Sequence, residues 1–174
     1  MQIALDRRGD YSVRAVLDLA RHYGSRRKAR EIARTMDLPV RYLPQLLAPL
    51  VHRGLLAATA GPEGGYALAR APVEVTVLEV IEAAEGPLES PRCVLRGGPC
   101  DWEETCPLHD HWGRARAALA TELQAVTFAE LAARDAEIQQ RPRRTRPPLH
   151  LEPVDRHGVR DDEAPPKGRK RRER

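Results

Sequence analysis

The chain of 174 residues is poor in several features that would otherwise fix its class. Aromatic residues make up 4% of it, with a single Phe, so a core has to be built mostly from Leu, Val and Ala. No run of 18 apolar residues occurs, which excludes an ordinary membrane-spanning helix. The start, "MQIALDRRGD", has no apolar stretch of the kind that directs secretion, and a cytoplasmic location is expected. There are only three cysteines, and an odd count in a reducing compartment argues against a disulfide framework and towards metal or redox chemistry. A phosphate loop, a nucleophile–base motif and paired carboxylates in a catalytic setting are all missing. His22, His111, His150 and His157 are isolated, as surface or tail residues are. An enzyme, and with it a small-molecule substrate, is therefore the least expected reading.

What is present is charge, and it is unevenly spread. Residues 1–70 carry 12 basic and 6 acidic side chains, residues 71–140 carry 5 and 13, and residues 141–174 carry 12 and 6. The formal net charge of +4 hides this partition. A basic front half suits a polyanionic partner, although a solvated face would look the same by charge alone.

The front half reads as three helices and a hairpin. "DYSVRAVLDLARHYG" (10–24) has Val13, Val16, Leu17 and Ala20 at helical spacing and Gly24 to stop it. "AREIARTM" is a short second helix with Ile32, Ala33 and Met36 inward, and "DLP" makes a tight turn. "VRYLPQLLAPLVHRG" is a third, with Leu43, Leu46, Leu47 and Leu50 as its apolar stripe and Gly54 at its end. Two extended segments then flank Gly61-Pro62-Glu63-Gly64-Gly65.

This order describes a winged helix-turn-helix over residues 1–72, mainly α with a small β-hairpin. Such a unit holds its third helix where it can enter a major groove. Val40, Arg41, Gln45 and His52 are the candidate groove-facing residues, with Tyr42 among the DNA-binding set; Arg41 suits guanine or phosphate, Gln45 adenine. Arg26, Arg27 and Lys28 are placed to meet phosphates, and Gly61, Gly64 and Gly65 form the wing tip. A trihelical packing module that touches no DNA fits the same pattern.

Residues 73–140 form a second region. "TVLEVIEAAEG" (76–86) is a helix closed by Gly86. "HDHWGRARAALATELQAV" is a longer one, with Trp112, Ala115, Leu119, Leu123 and Val126 along one side. Thr127 and Glu130 make a capping box that opens a last helix to about Ala136. The long stripe suits either a partner helix in a two-fold homodimer or the chain's own domain. Residues 141–174 hold six prolines and few apolar residues, which predicts a disordered basic tail.

All three cysteines fall in "CVLRGGPCDWEETCPLHDHW", spaced Cys93-x6-Cys100-x5-Cys106-x2-His109. Structural zinc sites usually use Cys-x2-Cys or Cys-x4-Cys knuckles, and neither occurs. The wider gaps suit an iron–sulfur cluster, whose separated irons each need a thiolate. Gly97, Gly98 and Pro99 allow the backbone to curl closely. His109 stands one turn beyond Cys106 as a fourth ligand. Structural zinc on the same four residues, or no metal at all, remains the alternative.

From residue 1 to about 135 the chain resembles the bacterial IscR/NsrR-type winged-helix regulators. The resemblance is carried by "DYSVRAVLDLA", "REIA", "RYLPQLL", "GPEGGYALAR", the cysteine loop and "VTFAELA". It implies a homodimer on double-stranded DNA, a long dimerisation helix and a 2Fe–2S or 4Fe–4S cluster on the three-Cys loop. The fourth ligand implied is either His109, favoured here, or Asp10 of the other subunit. Three departures stand out: a first gap of six residues where five is common, Pro44 in place of an acidic residue together with Pro49, and Ala60 and Glu63 where the wing often has Arg and Gly. These leave a cluster- or partner-binding protein that reads no DNA as a rival.

Overall fold

Asp6 opens the first helix. Its carboxylate accepts from the N–H groups of Arg8 at 2.6 Å and Gly9 at 3.1 Å, so α1 spans Arg7–Arg21. It starts three residues earlier than the spacing of its apolar residues predicts, because the cap lies upstream of the periodic stretch. The computed structural model describes residues 4–88, Leu95 and residues 106–140. Cys93, Cys100, most of the cysteine loop and the expected tail lie outside the described residues.

α2 (Ala29–Met36) and α3 (Leu43–His52) follow. Between them Asp37 takes a left-handed conformation (φ 53°), and the Tyr42 N–H donates to Pro39 across a turn. Here the structure corrects the sequence reading. Val40 and Arg41 belong to this turn, and α3 begins at Leu43 with Pro44 in its first turn. A proline is tolerated there because the N–H it lacks would have no helical partner anyway. The helix runs through Pro49 to His52.

Strands β1 (Leu56–Thr59) and β2 (Gly65–Leu68) pair antiparallel, with Leu56 opposite Leu68 and Thr59 opposite Gly65. Arg27 adds a bridge to the outer side of β2: its N–H donates to Tyr66 at 2.8 Å and its carbonyl accepts from Tyr66 at 2.9 Å. The winged helix-turn-helix is complete at this point.

After a short 3-10 turn at Pro72–Glu74 come α4 (Val77–Glu85), α5 (His109–Ala125) and α6 (Phe128–Gln140). Thr76 caps α4 and Gly86, at φ 99°, ends it. The expected Thr127–Glu130 box is present, with the Glu130 carboxylate accepting from the Thr127 N–H at 2.8 Å. The helix it opens continues four residues past Ala136, since no Gly or Pro interrupts "AEIQQ".

One core serves both regions. Val16, Leu19, Ile32, Leu47 and Leu50 of the front half share it with Val75, Val80 and Phe128. The segments around Thr76 and Thr127 bridge each other: the Val77 N–H donates to Val126 at 3.0 Å and the Phe128 N–H to Val75 at 2.9 Å. Phe128 is fully buried, a contribution of about 1.5–3 kcal/mol for a side chain of its kind. Packing is continuous across the boundary expected at residue 72.

Candidate nucleic-acid interface and cysteine loop

α3 has two unlike faces. Leu43, Leu46, Leu47 and Leu50 are buried, while Gln45, Ala48 and His52, one helical face, are exposed. Val40, Arg41 and Pro44 are exposed at its leading end. Packing forces this outcome, because four leucines on one side of a ten-residue helix leave only the opposite side to solvent.

Tyr42 does not join that exposed set. It is half-buried, and its ring meets Tyr11 edge-on at 6.4 Å. The Arg14 guanidinium lies 5.9 Å from the Tyr11 ring. Arg14 also donates to the main-chain carbonyls of Met36 and Asp37, closing the end of α2. The ring of Tyr42 therefore helps to anchor the leading end of α3.

The basic run before α2 is divided in the same way. Arg26 and Lys28 are exposed, and Arg26 also donates to the Thr59 hydroxyl of β1. Arg27 is turned towards the interior, with 17% of its side chain exposed. Its Nε donates to Asp18 Oδ2 at 3.0 Å, and its Nη2 to Asp18 Oδ1 at 3.4 Å and Thr35 Oγ1 at 3.1 Å. The sequence reading did not single out Arg30, Arg34 and Arg53, which are exposed as well. Arg30 and Arg34 stand four apart on α2, a spacing that places them on one face.

At the wing, Gly64 and Gly65 have a packing reason for being glycine. A Cβ on Gly64 would lie 2.2 Å from the Thr59 carbonyl oxygen, and one on Gly65 would lie 2.6 Å from that of Arg27. Gly61 faces open space, and its φ of 103° suits the turn closed by the Gly64 N–H on its carbonyl at 3.0 Å.

Of the four ligands expected at the cysteine loop, two are described. Cys106 is half-exposed with a free thiol, and His109, half-buried, is the first residue of α5. The His109 N–H donates to the Cys106 carbonyl at 3.1 Å, so a single turn joins the two. Among the described residues no three His, Cys, Asp or Glu side chains gather as a metal site. Asp10, the other candidate, sits half-buried on α1 with a carboxylate oxygen 3.4 Å from Arg14 Nη1.

Two carboxyl groups meet where α4 hands over to the loop. Glu85 Oε1 accepts from the Asp6 N–H at 2.9 Å. Burial, and then the charge of Asp6, push Glu85 above the ordinary glutamate range. Asp6, which burial alone would raise, is brought below its usual value by N–H donation from Gly9 and Arg8.

On α5 no residue is fully buried. Trp112, Gly113, Arg116, Leu119, Ala120 and Leu123 are half-buried along one side, at steps of three and four, while Ala115 is exposed. No helix among the described residues is long and apolar enough to cross a membrane.

Comparison with known proteins agrees with this geometry. The Rrf2 family, described as iron-dependent transcriptional regulator, matches residues 5–134. The HTH-type transcriptional regulator IscR of Aliivibrio salmonicida (strain LFI1238) is 31% identical over 137 residues, covering 78% of this chain and 80% of that one. Among solved structures, IscR of T. potens is 30% identical, with a TM-score of 0.63, over 82% of this chain and 94% of that one. CymR, the global cysteine regulator of B. subtilis, is 28% identical, with a TM-score of 0.66, over 76% and 98%. These relatives are regulators of transcription and not enzymes. The chain belongs to the Rrf2 family of winged-helix transcriptional regulators.

Proposed function

We propose that this chain acts in the cytoplasm as a homodimer on double-stranded DNA, and that an iron–sulfur cluster held by Cys93, Cys100, Cys106 and His109 controls its binding. Gln45, His52, Val40 and Arg41 read the major groove, Arg26 and Lys28 hold phosphates, and the turn at Gly61 lies over the adjacent groove. The observation that carries the reading is the pairing of an exposed polar face on α3 with a thiol and an imidazole one turn apart at the start of α5.

The donor set fits such a group: three soft thiolates and one borderline nitrogen, with Cys106 and His109 one turn apart at the start of α5. A bound cluster, 2Fe–2S or 4Fe–4S, supplies a crosslink that nitric oxide, oxidant or iron shortage removes. The chain does the rest. His109 and Cys106 tie the loop to α5, and the half-buried side of α5 meets its copy in the dimer. The angle between the two α5 helices sets the separation of the two α3 helices on DNA. A ligand shifts such an equilibrium only as far as it prefers one arrangement.

The test is iron, sulfide and zinc analysis with visible spectroscopy of protein purified without oxygen, followed by binding to promoter fragments at stated salt. Coloured protein with iron and sulfide near stoichiometric, and binding that changes when the cluster is removed, are expected. Colourless protein, or zinc in place of iron, overturns the cluster; fragment binding lost in every state overturns the DNA reading.

A further inference from the structure

In the sequence Arg27 looks like the middle of three equivalent phosphate contacts, and in the fold it is the least like one. Three separate parts of the molecule converge on it. Its main chain is bonded twice to Tyr66 of β2, at 2.8 and 2.9 Å. Its guanidinium reaches both oxygens of Asp18, a residue in the last turn of α1 with no exposed surface. The same guanidinium reaches Thr35 of α2 at 3.1 Å and stands 3.8 Å from Glu31. His22, with Nδ1 3.7 Å from Asp18 Oδ1, completes the surroundings of that carboxylate. On the other side Gly65 approaches so closely that a methyl group would strike the Arg27 carbonyl.

We propose that Arg27 is the positioning residue that sets the wing against the helix-turn-helix, with buried Asp18 as its anchor. An arginine that let go of Asp18 to meet a phosphate would leave a carboxylate uncompensated inside the protein, which costs more than one phosphate contact returns. The forked guanidinium is needed because it must satisfy two carboxylate oxygens and a hydroxyl at once, and a point charge cannot. The inference rests on the DNA reading proposed above. It also makes a claim about the wing alone, and that claim is tested without DNA.

The experiment compares the full-length wild type with R27Q, D18N, the pair D18N/R27Q, and K28Q. The DNA probes are a duplex enriched from a random pool on the wild-type protein and a scrambled duplex, each titrated over a range of salt. The paired variant carries two neutral amides and so avoids the stranded charge of R27Q; far-UV circular dichroism monitors the fold throughout.

R27Q is expected to bind the enriched duplex about tenfold more weakly, with affinity for the scrambled duplex and the slope of log K against log salt unchanged. K28Q, which removes a phosphate contact of the proposed interface, lowers that slope by about 0.9. D18N reproduces the loss, although Asp18 cannot touch DNA, and the pair binds no worse than R27Q alone. Amide exchange at Tyr66 accelerates in R27Q. The assignment is overturned if R27Q lowers the salt slope as K28Q does while D18N binds as well as wild type or better. If wild type binds neither duplex, the DNA reading fails and exchange alone decides: unchanged protection of Tyr66 in both R27Q and the pair overturns the wing claim.

Discussion

Single residues of this protein are constrained in ways that a pattern of apolar and polar letters does not reveal. Ser12 is fully buried, and its hydroxyl has no partner among the described residues. Ser12→Ala is expected to raise stability by about 1 kcal/mol, read by urea unfolding, because it removes an unsatisfied polar atom without leaving a hole. The two wing glycines behave oppositely: Gly64→Ala and Gly65→Ala each press a methyl against a carbonyl. Both should lower the melting temperature more than Gly61→Ala, whose cost is limited to its φ of 103° and is about 1–2 kcal/mol. At the Asp6–Glu85 contact the sign of the pH dependence is fixed by the shifts. Raised Glu85 supports the fold below its unfolded value and loses that support as pH rises through the folded one. Depressed Asp6 supports the fold above its unfolded value and loses that support as pH falls through the folded one. Glu85→Gln keeps the acceptor for the Asp6 N–H and removes the disfavoured charge. It should therefore gain a few tenths of a kcal/mol at pH 7, small because the group is largely exposed. The gain should fade below the ordinary glutamate pKa of 4.5. Of this scale the sequence revealed the candidate cations and the glycine-rich wing, but not which cations face inward. "AVLDLA" did carry a signal, since a carboxylate at position 18 falls among the buried residues of its helix, yet nothing local says which of three neighbouring cations answers it.

At the scale of elements, α1, α4 and α6 open on side-chain caps, at Asp6, Thr76 and Thr127. Thr76–Glu79 and Thr127–Glu130 are reciprocal boxes in which the hydroxyl and the carboxylate each accept a main-chain N–H. Thr76→Ala should cost about 1 kcal/mol, measured by thermal or urea unfolding, because it frees the Glu79 N–H at the start of α4. The prolines of α3 are legible as residues but not in their consequence. Pro44 cannot disturb a first turn, so the visible effect is a later start, at Leu43. Pro49 leaves the Gln45 carbonyl without its helical donor. Pro49→Ala restores that bond and should stabilise the protein by up to ~3 kcal/mol. Helix order, the hairpin and the capping boxes were all available from spacing, since they depend on neighbours within four residues. The Arg27–Tyr66 bridge and the pairing of Val75–Val77 with Val126–Phe128 were not, because they join segments about 40 and 50 residues apart in the chain.

On the scale of the whole molecule, a helix with a half-covered apolar side needs a surface to meet, and in the proposed homodimer a second copy of the chain supplies one. Leu119→Glu on that side of α5 should convert the dimer to monomer in sedimentation while leaving the far-UV spectrum intact. Operator affinity should then fall steeply, since two half-sites are no longer gripped together. Unchanged sedimentation would place the contact elsewhere. The family and fold were legible from the front half of the chain and the spacing of its cysteines. How the cysteine loop relates to the DNA-reading surface was not, because that depends on where the chain returns. Val77 and Val126 are bonded to each other, as are Val75 and Phe128, so the chain enters α4 and leaves α5 at one spot on the body. Main-chain hydrogen bonds staple the two ends together there, so the entry to α4 and the exit from α5 move as one. In the proposed regulator, the flank of α4 that rests on α1 and α3 offers the loop a second route to the groove-reading face, beside the α5 contact between copies.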